Sequence, residues 1–263
     1  MTTAAERWAE ALGAHAIPQN ILDAAPESPW GFPAALFTVD VDLERTRLTP
    51  SRRRALDALP SGGIVLDVGA GGGAASLPLA PPAGRIVAVD ASAELLDAFA
   101  AAALKAGIDH EVIRGDWPGV AEIAPPADVV VCHHVLYNAA DLAPFAAALT
   151  AHARKRVVVE MSDRHPMTRV SDLFLHFHGL QRPEGPTAAD AVDVLTEAGL
   201  RVAWERWTER REPSASRADY IAFIRRRLCL PPERDHEIGA LLGPHPQPRE
   251  RSNATLWWPG EAR

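Results

Sequence analysis

The run Ile64-Val-Leu-Asp-Val-Gly-Ala-Gly-Gly-Gly73 constrains this chain more than any other stretch. Ile64–Val68 is apolar except for Asp67 and reads as a short buried strand. Gly69, Gly71, Gly72 and Gly73 follow at once, and an Ala/Leu-rich stretch that reads as a helix comes next. Strand, glycine turn and helix in that order leave open backbone at the carboxyl end of a strand, where open α/β sheets bind ligands. Glycine suits such a turn because it adopts positive φ and lets a ligand approach the main chain. Gly69-x-Gly71-x-x-Ala74 also fits the dinucleotide fingerprint, so the glycines alone admit more than one cofactor, or a tight turn with none.

The rest of the chain repeats the rhythm. Apolar runs recur at Ile86–Val89, Val129–Cys132 and Val157–Val159, a short strand is expected at His110–Ile113, and helical patterns lie between them. Alternation at this spacing predicts a parallel sheet with right-handed crossovers. Val129–Cys132 is uniformly apolar, as a strand covered on both faces should be. Helices are expected over Ala4–Gly13, Pro18–Ala24, Ser51–Leu59 and Val170–Phe177, with others capped by Ser92, Asp141 and Thr187. A strand at Leu200–Thr208, helices at Ser216–Leu228 and Pro232–Leu242, and a last strand at Ala254–Trp258 complete the reading. Pro26–Pro33 breaks all regularity.

Three groups of polar residues fall at strand ends. Asp90 closes the second run, where an ionised carboxylate can accept from both hydroxyls of a ribose; a helix-leading Asp is the plainer reading. Gly115-Asp116-Trp117 follows the third, offering a carboxylate for an adenine amino group or a simple Asx-turn before Pro118. His133, His134, Tyr137 and Asn138 follow the fourth. Histidine titrates near neutral pH and suits proton transfer, while two packed histidines fit the same pattern. His133, His134, His165, His176 and His178 match no zinc spacing, so no metal is expected.

Val65-Leu-Asp-Val-Gly-Ala-Gly-Gly-Gly73 resembles the first motif of class I S-adenosylmethionine (SAM) dependent methyltransferases. The resemblance covers Ile64–Glu160 by motif and the remainder by topology. It implies an α/β, Rossmann-like fold: a seven-stranded, mostly parallel sheet with one antiparallel strand late in the chain, helices on both faces and an N-terminal helical extension. Residues 1–60 would be that extension, acting as a lid, and residues 61–263 the methyltransferase domain, with 161–186 as a substrate-side insertion. The cofactor SAM would then lie among Asp67, Gly69, Ala70, Gly71, Gly73, Asp90, Ala91, Gly115, Asp116, Trp117 and His133. His133, His134 and Tyr137 become the catalytic candidates, and Trp30, His165 and Phe174 the substrate-side ones. Two departures stand out: His152-Ala-Arg-Lys-Arg156 replaces the Pro-Gly-Gly turn of many relatives, and no Asn/Asp-Pro-Pro-Tyr motif for flipped bases occurs. A small-molecule acceptor is therefore expected. The rival readings are an NAD-dependent oxidoreductase on a similar turn and a SAM-binding protein without catalysis.

Composition narrows the remaining classes. A formal net charge of −7 argues against general polyanion binding, so no nucleic-acid partner is expected. The arginine clusters Arg52–Arg54 and Arg225–Arg227 read as solvated helix faces. The two cysteines, Cys132 and Cys229, suggest no disulfide and a reducing compartment. With no bilayer-length apolar stretch and no signal pattern, a cytoplasmic protein without a membrane partner is expected, with a homodimer as one option.

Overall fold

The computed structural model describes residues 2–30, 38–211, 216–243 and 249–262. Seven strands form one sheet: β1 (Gly63–Val68), β2 (Ala83–Asp90), β3 (His110–Arg114), β4 (Ala127–His133), β5 (Ala153–Ser162), β6 (Ala203–Arg211) and β7 (Arg249–Pro259). Their order is β3-β2-β1-β4-β5-β7-β6. The pairs β1–β2, β1–β4, β2–β3 and β4–β5 are parallel, and β7 runs antiparallel to both β5 and β6. The order reverses between β1 and β4, so the crevice of an open α/β sheet opens above the glycine turn.

Ten α-helices are described: α1 (Ala4–Gly13), α2 (Gln19–Asp23), α3 (Val41–Arg45), α4 (Pro50–Leu56), α5 (Ala93–Lys105), α6 (Leu142–His152), α7 (Ser171–His178), α8 (Ala188–Glu197), α9 (Arg217–Arg227) and α10 (Asp235–Leu242). The period-2 alternation of strand side chains divides them between two faces. Leu66, Val68, Val130, Cys132, Val157 and Val159 meet α1, α6 and α8 in one core. Val65, Ile86, Ala88, Val129, Val131 and Val158 meet α3, α4 and α5 in the other. A third, smaller core joins α2, α7, α9 and α10 through Met167, Phe174, Ile224, Leu228 and Ile238. It is built largely from the β5–α8 and β6–β7 connections, which both leave the sheet's carboxyl edge.

Several local expectations hold in detail. Ser92 accepts from the Leu95 N–H, capping α5. Thr187 and Asp190 form a reciprocal capping box on α8. Asp141 occupies the N-cap of α6, but its side chain makes no capping bond.

Two expectations need correction. The stretch after the glycine turn is no α-helix; it contains one 3-10 turn, Leu77–Leu79. Pro78 starts that turn, and Pro81 and Pro82 lack the N–H groups that would continue it. The arginine clusters are also not wholly solvated faces, for Arg52, Arg225 and Arg227 are buried while Arg53 is exposed. Arg52 donates to the Glu44 and Arg47 carbonyls, fastening the α3–α4 connection. Arg225 pairs with Glu27 at 2.9 Å, and Arg227 donates to the Pro29 carbonyl at 2.5 Å, strapping the segment before Trp30 to α9.

Candidate active site

Three strand ends are knitted together around Asp90. The Gly69 and Ala70 N–H groups donate to the Val89 carbonyl at 2.8 and 3.0 Å, and the Gly115 N–H to the Asp90 carbonyl at 3.0 Å. The Asp90 carboxylate accepts from Gly71 N–H through Oδ2 and from Ser92 N–H through Oδ1, each at 2.9 Å. Each carboxylate oxygen retains acceptor capacity beyond that one bond, so Asp90 can hold the turn and still receive hydroxyl donors.

The glycines of the turn have different jobs. Gly69, Gly71 and Gly73 all have positive φ. A Cβ on Gly69 would collide with Val135, and one on Gly73 with Leu77 and Phe99, so both are demanded by packing. A Cβ on Gly71 would meet nothing within 4 Å. That gap lies beside the Asp90 carboxylate. Gly115 is again a packing requirement, since a Cβ there would strike Val120.

Asp67 is completely buried on the α4 side of β1 and orders the turn through Ser76, whose hydroxyl donates to Oδ2 at 2.6 Å. Its Oδ1 has no partner among the described residues. Burial, aided by the nearby Asp90 charge and opposed by the Ser76 bond, pushes its carboxyl up to about 7. Asp116 and Ala91 are exposed at the ends of β3 and β2. Trp117 packs toward α6, its indole N–H reaching the Phe145 carbonyl at 3.4 Å and its ring meeting His152 edge-on.

The two histidines after β4 divide. His133 points inward on the same face as Asp67 and Val131, with Nε2 buried and without a partner among the described residues. Burial lowers its pKa to about 4, leaving it neutral at pH 7. His134 is half-exposed, has φ near 60°, and donates its backbone N–H to the Glu160 carbonyl at 2.6 Å. Its Nε2 lies 3.3 Å from the Glu160 carboxylate. Burial opposes ionisation of Glu160, but His133, His134 and Ser51 outweigh it and hold the carboxyl at about 2. Glu160 escaped the sequence reading as a site residue. Its role follows from the sheet and not from a motif: β4 and β5 pair in parallel, and Glu160 stands opposite His133.

The remaining candidates sit elsewhere. Tyr137 is buried, stacks on Trp8, and donates its hydroxyl to the Ser162 carbonyl at 2.8 Å; burial raises its pKa far beyond the working range. Phe174 is fully buried in the third core beneath the Arg182 guanidinium, so it lines no surface and its substrate-side assignment is corrected. His165 stacks on His15 with ring centroids 3.7 Å apart, at the join between the N-terminal helices and the segment after β5. Trp30 is exposed near Arg227; Gly31, Phe32 and Pro33 of the same breaker lie outside the described residues. Among the described residues, no three His, Cys, Asp or Glu side chains converge as a metal site would require.

This architecture has known relatives. Residues 65–156 match the family described as methyltransferase domain. The match covers the glycine turn and strands β1 to β4, together with the start of β5. Its fold is similar to that of the YcgJ protein of Bacillus subtilis, at 16% identity and a TM-score of 0.54, over 81% of this chain and 99% of that one. It is similar also to magnesium protoporphyrin IX methyltransferase of Synechocystis, solved with S-adenosylhomocysteine (SAH), at 13% identity and a TM-score of 0.50, over 84% and 95% of the two chains. TehB of Haemophilus influenzae is a third, at 11% identity and a TM-score of 0.51, over 82% of this chain and 63% of that one. Comparison with curated protein sequences gives no significant match. No described helix is long and apolar enough to cross a membrane.

Proposed function

We propose that this protein is a SAM-dependent methyltransferase acting on a small-molecule acceptor. The observation that carries the reading is the open gap at Gly71 beside the Asp90 carboxylate. The gap would admit a nucleoside to the main chain, and the carboxylate would receive its hydroxyls. The missing helix supports SAM over a nicotinamide dinucleotide. Dinucleotide sites seat a diphosphate on the N-terminus of the helix after the glycine turn. Here three prolines leave a single 3-10 turn, which offers no such dipole. SAM carries no phosphate and needs none.

SAM would supply an electrophilic methyl group on a sulfonium. The residues then have separable tasks. Gly69 and Val135 fix the turn against the end of β4, Asp90 would hold the ribose, and His133 and His134, at the carboxyl end of β4, would face the acceptor. Much of the rate of such a displacement comes from alignment of the reactants. The segment 161–186, with residues 1–60 as a partial cover, would select the acceptor, because it leaves the carboxyl edge of β5 and departs from the regular βα rhythm. Calorimetric titration with SAM, SAH and NADH tests the reading. Binding of SAH well above that of NADH is expected, and tighter NADH binding overturns it. A screen of metabolites for methyl transfer separates an enzyme from a silent SAM binder.

A further inference from the structure

We propose that His134 is the proton acceptor of this site, held in one tautomer by Glu160, and that the methyl acceptor is a hydroxyl or amine that must surrender a proton. The inference rests on the methyltransferase reading and assigns its proton path.

Three observations carry it. The Glu160 carboxylate is buried and stands 3.3 Å from Nε2 of His134. An ionised carboxylate only accepts, so Nε2 carries the imidazole proton and Nδ1 presents a lone pair. The backbone agrees with this placement. His134 adopts a left-handed conformation uncommon for residues other than glycine, and its N–H is bonded to Glu160 as well. Both ends of the residue are thus clamped to one partner while the ring remains half-exposed. Finally, the next residue, Val135, packs directly on Gly69, so the dyad adjoins the glycine turn. The neighbouring candidates are less accessible: His133 has its Nε2 buried, and the Tyr137 hydroxyl is bonded to the Ser162 carbonyl.

The step balances without a further reactant. The acceptor's lone pair forms a bond to the methyl carbon as the methyl–sulfur bond breaks, its electron pair staying on sulfur. The acceptor's proton passes to Nδ1 of His134, and the imidazolium rests against the Glu160 carboxylate before releasing that proton to water. His134 is the catalytic residue and Glu160 a positioning residue.

The test is nitrogen NMR of the full-length 15N-labelled protein, after calorimetry with SAH. Failure to bind SAH overturns the methyltransferase reading and leaves the tautomer to be read by itself. In the wild type, a single His134 tautomer with protonated Nε2 is expected, and Glu160→Gln should convert it to a mixture. A wild-type tautomer protonated on Nδ1, or one unchanged by Glu160→Gln, overturns the proposal. Should that variant not fold, the wild-type tautomer still decides. Phenol and anisole are then titrated into the SAH complex. A shift of His134 Nδ1 with phenol alone supports a protic acceptor; equal shifts, or none with either probe, overturn it.

Discussion

The Gly71 N–H donates to the Asp90 carboxylate at 2.9 Å, joining the glycine turn to the end of β2. The same carboxylate accepts from Ser92 at the start of α5. Asp90 is therefore both a candidate ribose ligand and a structural clasp.

Replacing Asp90 with Ala should reveal both roles. Hydrogen bonds to a charged group are worth roughly 1.5–3 kcal/mol, so SAH affinity should fall at least about tenfold. The melting temperature without ligand should fall too, because two backbone donors lose their partner. Calorimetry and a thermal melt on the same variant check this. Unchanged SAH affinity would remove Asp90 from the cofactor site.

Much of this arrangement was legible in the sequence, for identifiable reasons. Strand positions follow from buried apolar runs such as Val129–Cys132, and helix starts from cap residues such as Ser92 and Thr187. The reading failed where local composition and chain geometry disagree. Leu77–Ala80 looks helical by composition, yet the prolines at 78, 81 and 82 cut it to one turn. Arg52 looks solvated beside Arg53 and Arg54, but two backbone carbonyls of the α3–α4 connection draw it inside. Phe174 looked like a substrate contact because α7 interrupts the rhythm; a third core, invisible until α2, α9 and α10 are placed, buries it. Glu160 required knowledge of which strand lies beside β4.

Asp67 should make the protein less stable as pH rises. Its carboxyl is raised from 3.8 to about 7 in the fold, chiefly by burial. Between those values the folded chain holds a proton that the unfolded chain releases. The stabilisation is complete below about 4 and is lost as pH climbs through about 7. Asp67→Asn cannot ionise and keeps an acceptor for Ser76. Its melting temperature relative to wild type should rise from pH 5 to pH 8. A difference that stays flat would show that Asp67 is ionised throughout.

The histidines act in the opposite sense. Burial lowers His133 to about 4 and His165 to about 3, with the neighbouring His15 and Arg182 also acting on His165. Below the ordinary value of 6.5 the unfolded chain takes up protons that these folded imidazoles refuse. Their contribution is therefore present above 6.5 and is lost as pH falls toward 4. His165→Gln should flatten the acid side of the stability profile, measured by thermal melts between pH 4 and 7. An acid slope equal to that of wild type would mean that His165 protonates freely in the fold.

Tyr137→Phe separates a structural hydroxyl from a reacting one. The variant leaves the ring on Trp8 but strips the Ser162 carbonyl of its donor. Loss of a bond to a buried acceptor costs about 1–3 kcal/mol. A lower melting temperature with SAH affinity near wild type is expected. Wild-type stability with a large loss of SAH affinity or turnover would return Tyr137 to the chemistry.

Gly69 and Gly71 stand two residues apart with similar positive φ, yet alanine should harm them in different ways. At Gly69 the new methyl meets Val135, so left-handed strain of about 1–2 kcal/mol is joined by overpacking of about 1–3 kcal/mol. Gly69→Ala should therefore unfold well below wild type, with binding lost as a consequence. At Gly71 the methyl enters open space, leaving only the left-handed strain. For a domain of this size each kcal/mol lowers the melting temperature by roughly 2–4 °C. Yet the gap it fills is the one assigned to the cofactor, and SAH affinity should fall more than about tenfold. Melting curves and SAH titrations of the two variants resolve the matter. Gly71→Ala binding SAH as wild type does would show that the gap beside Asp90 is vacant in the complex, and the cofactor would have to approach the sheet elsewhere.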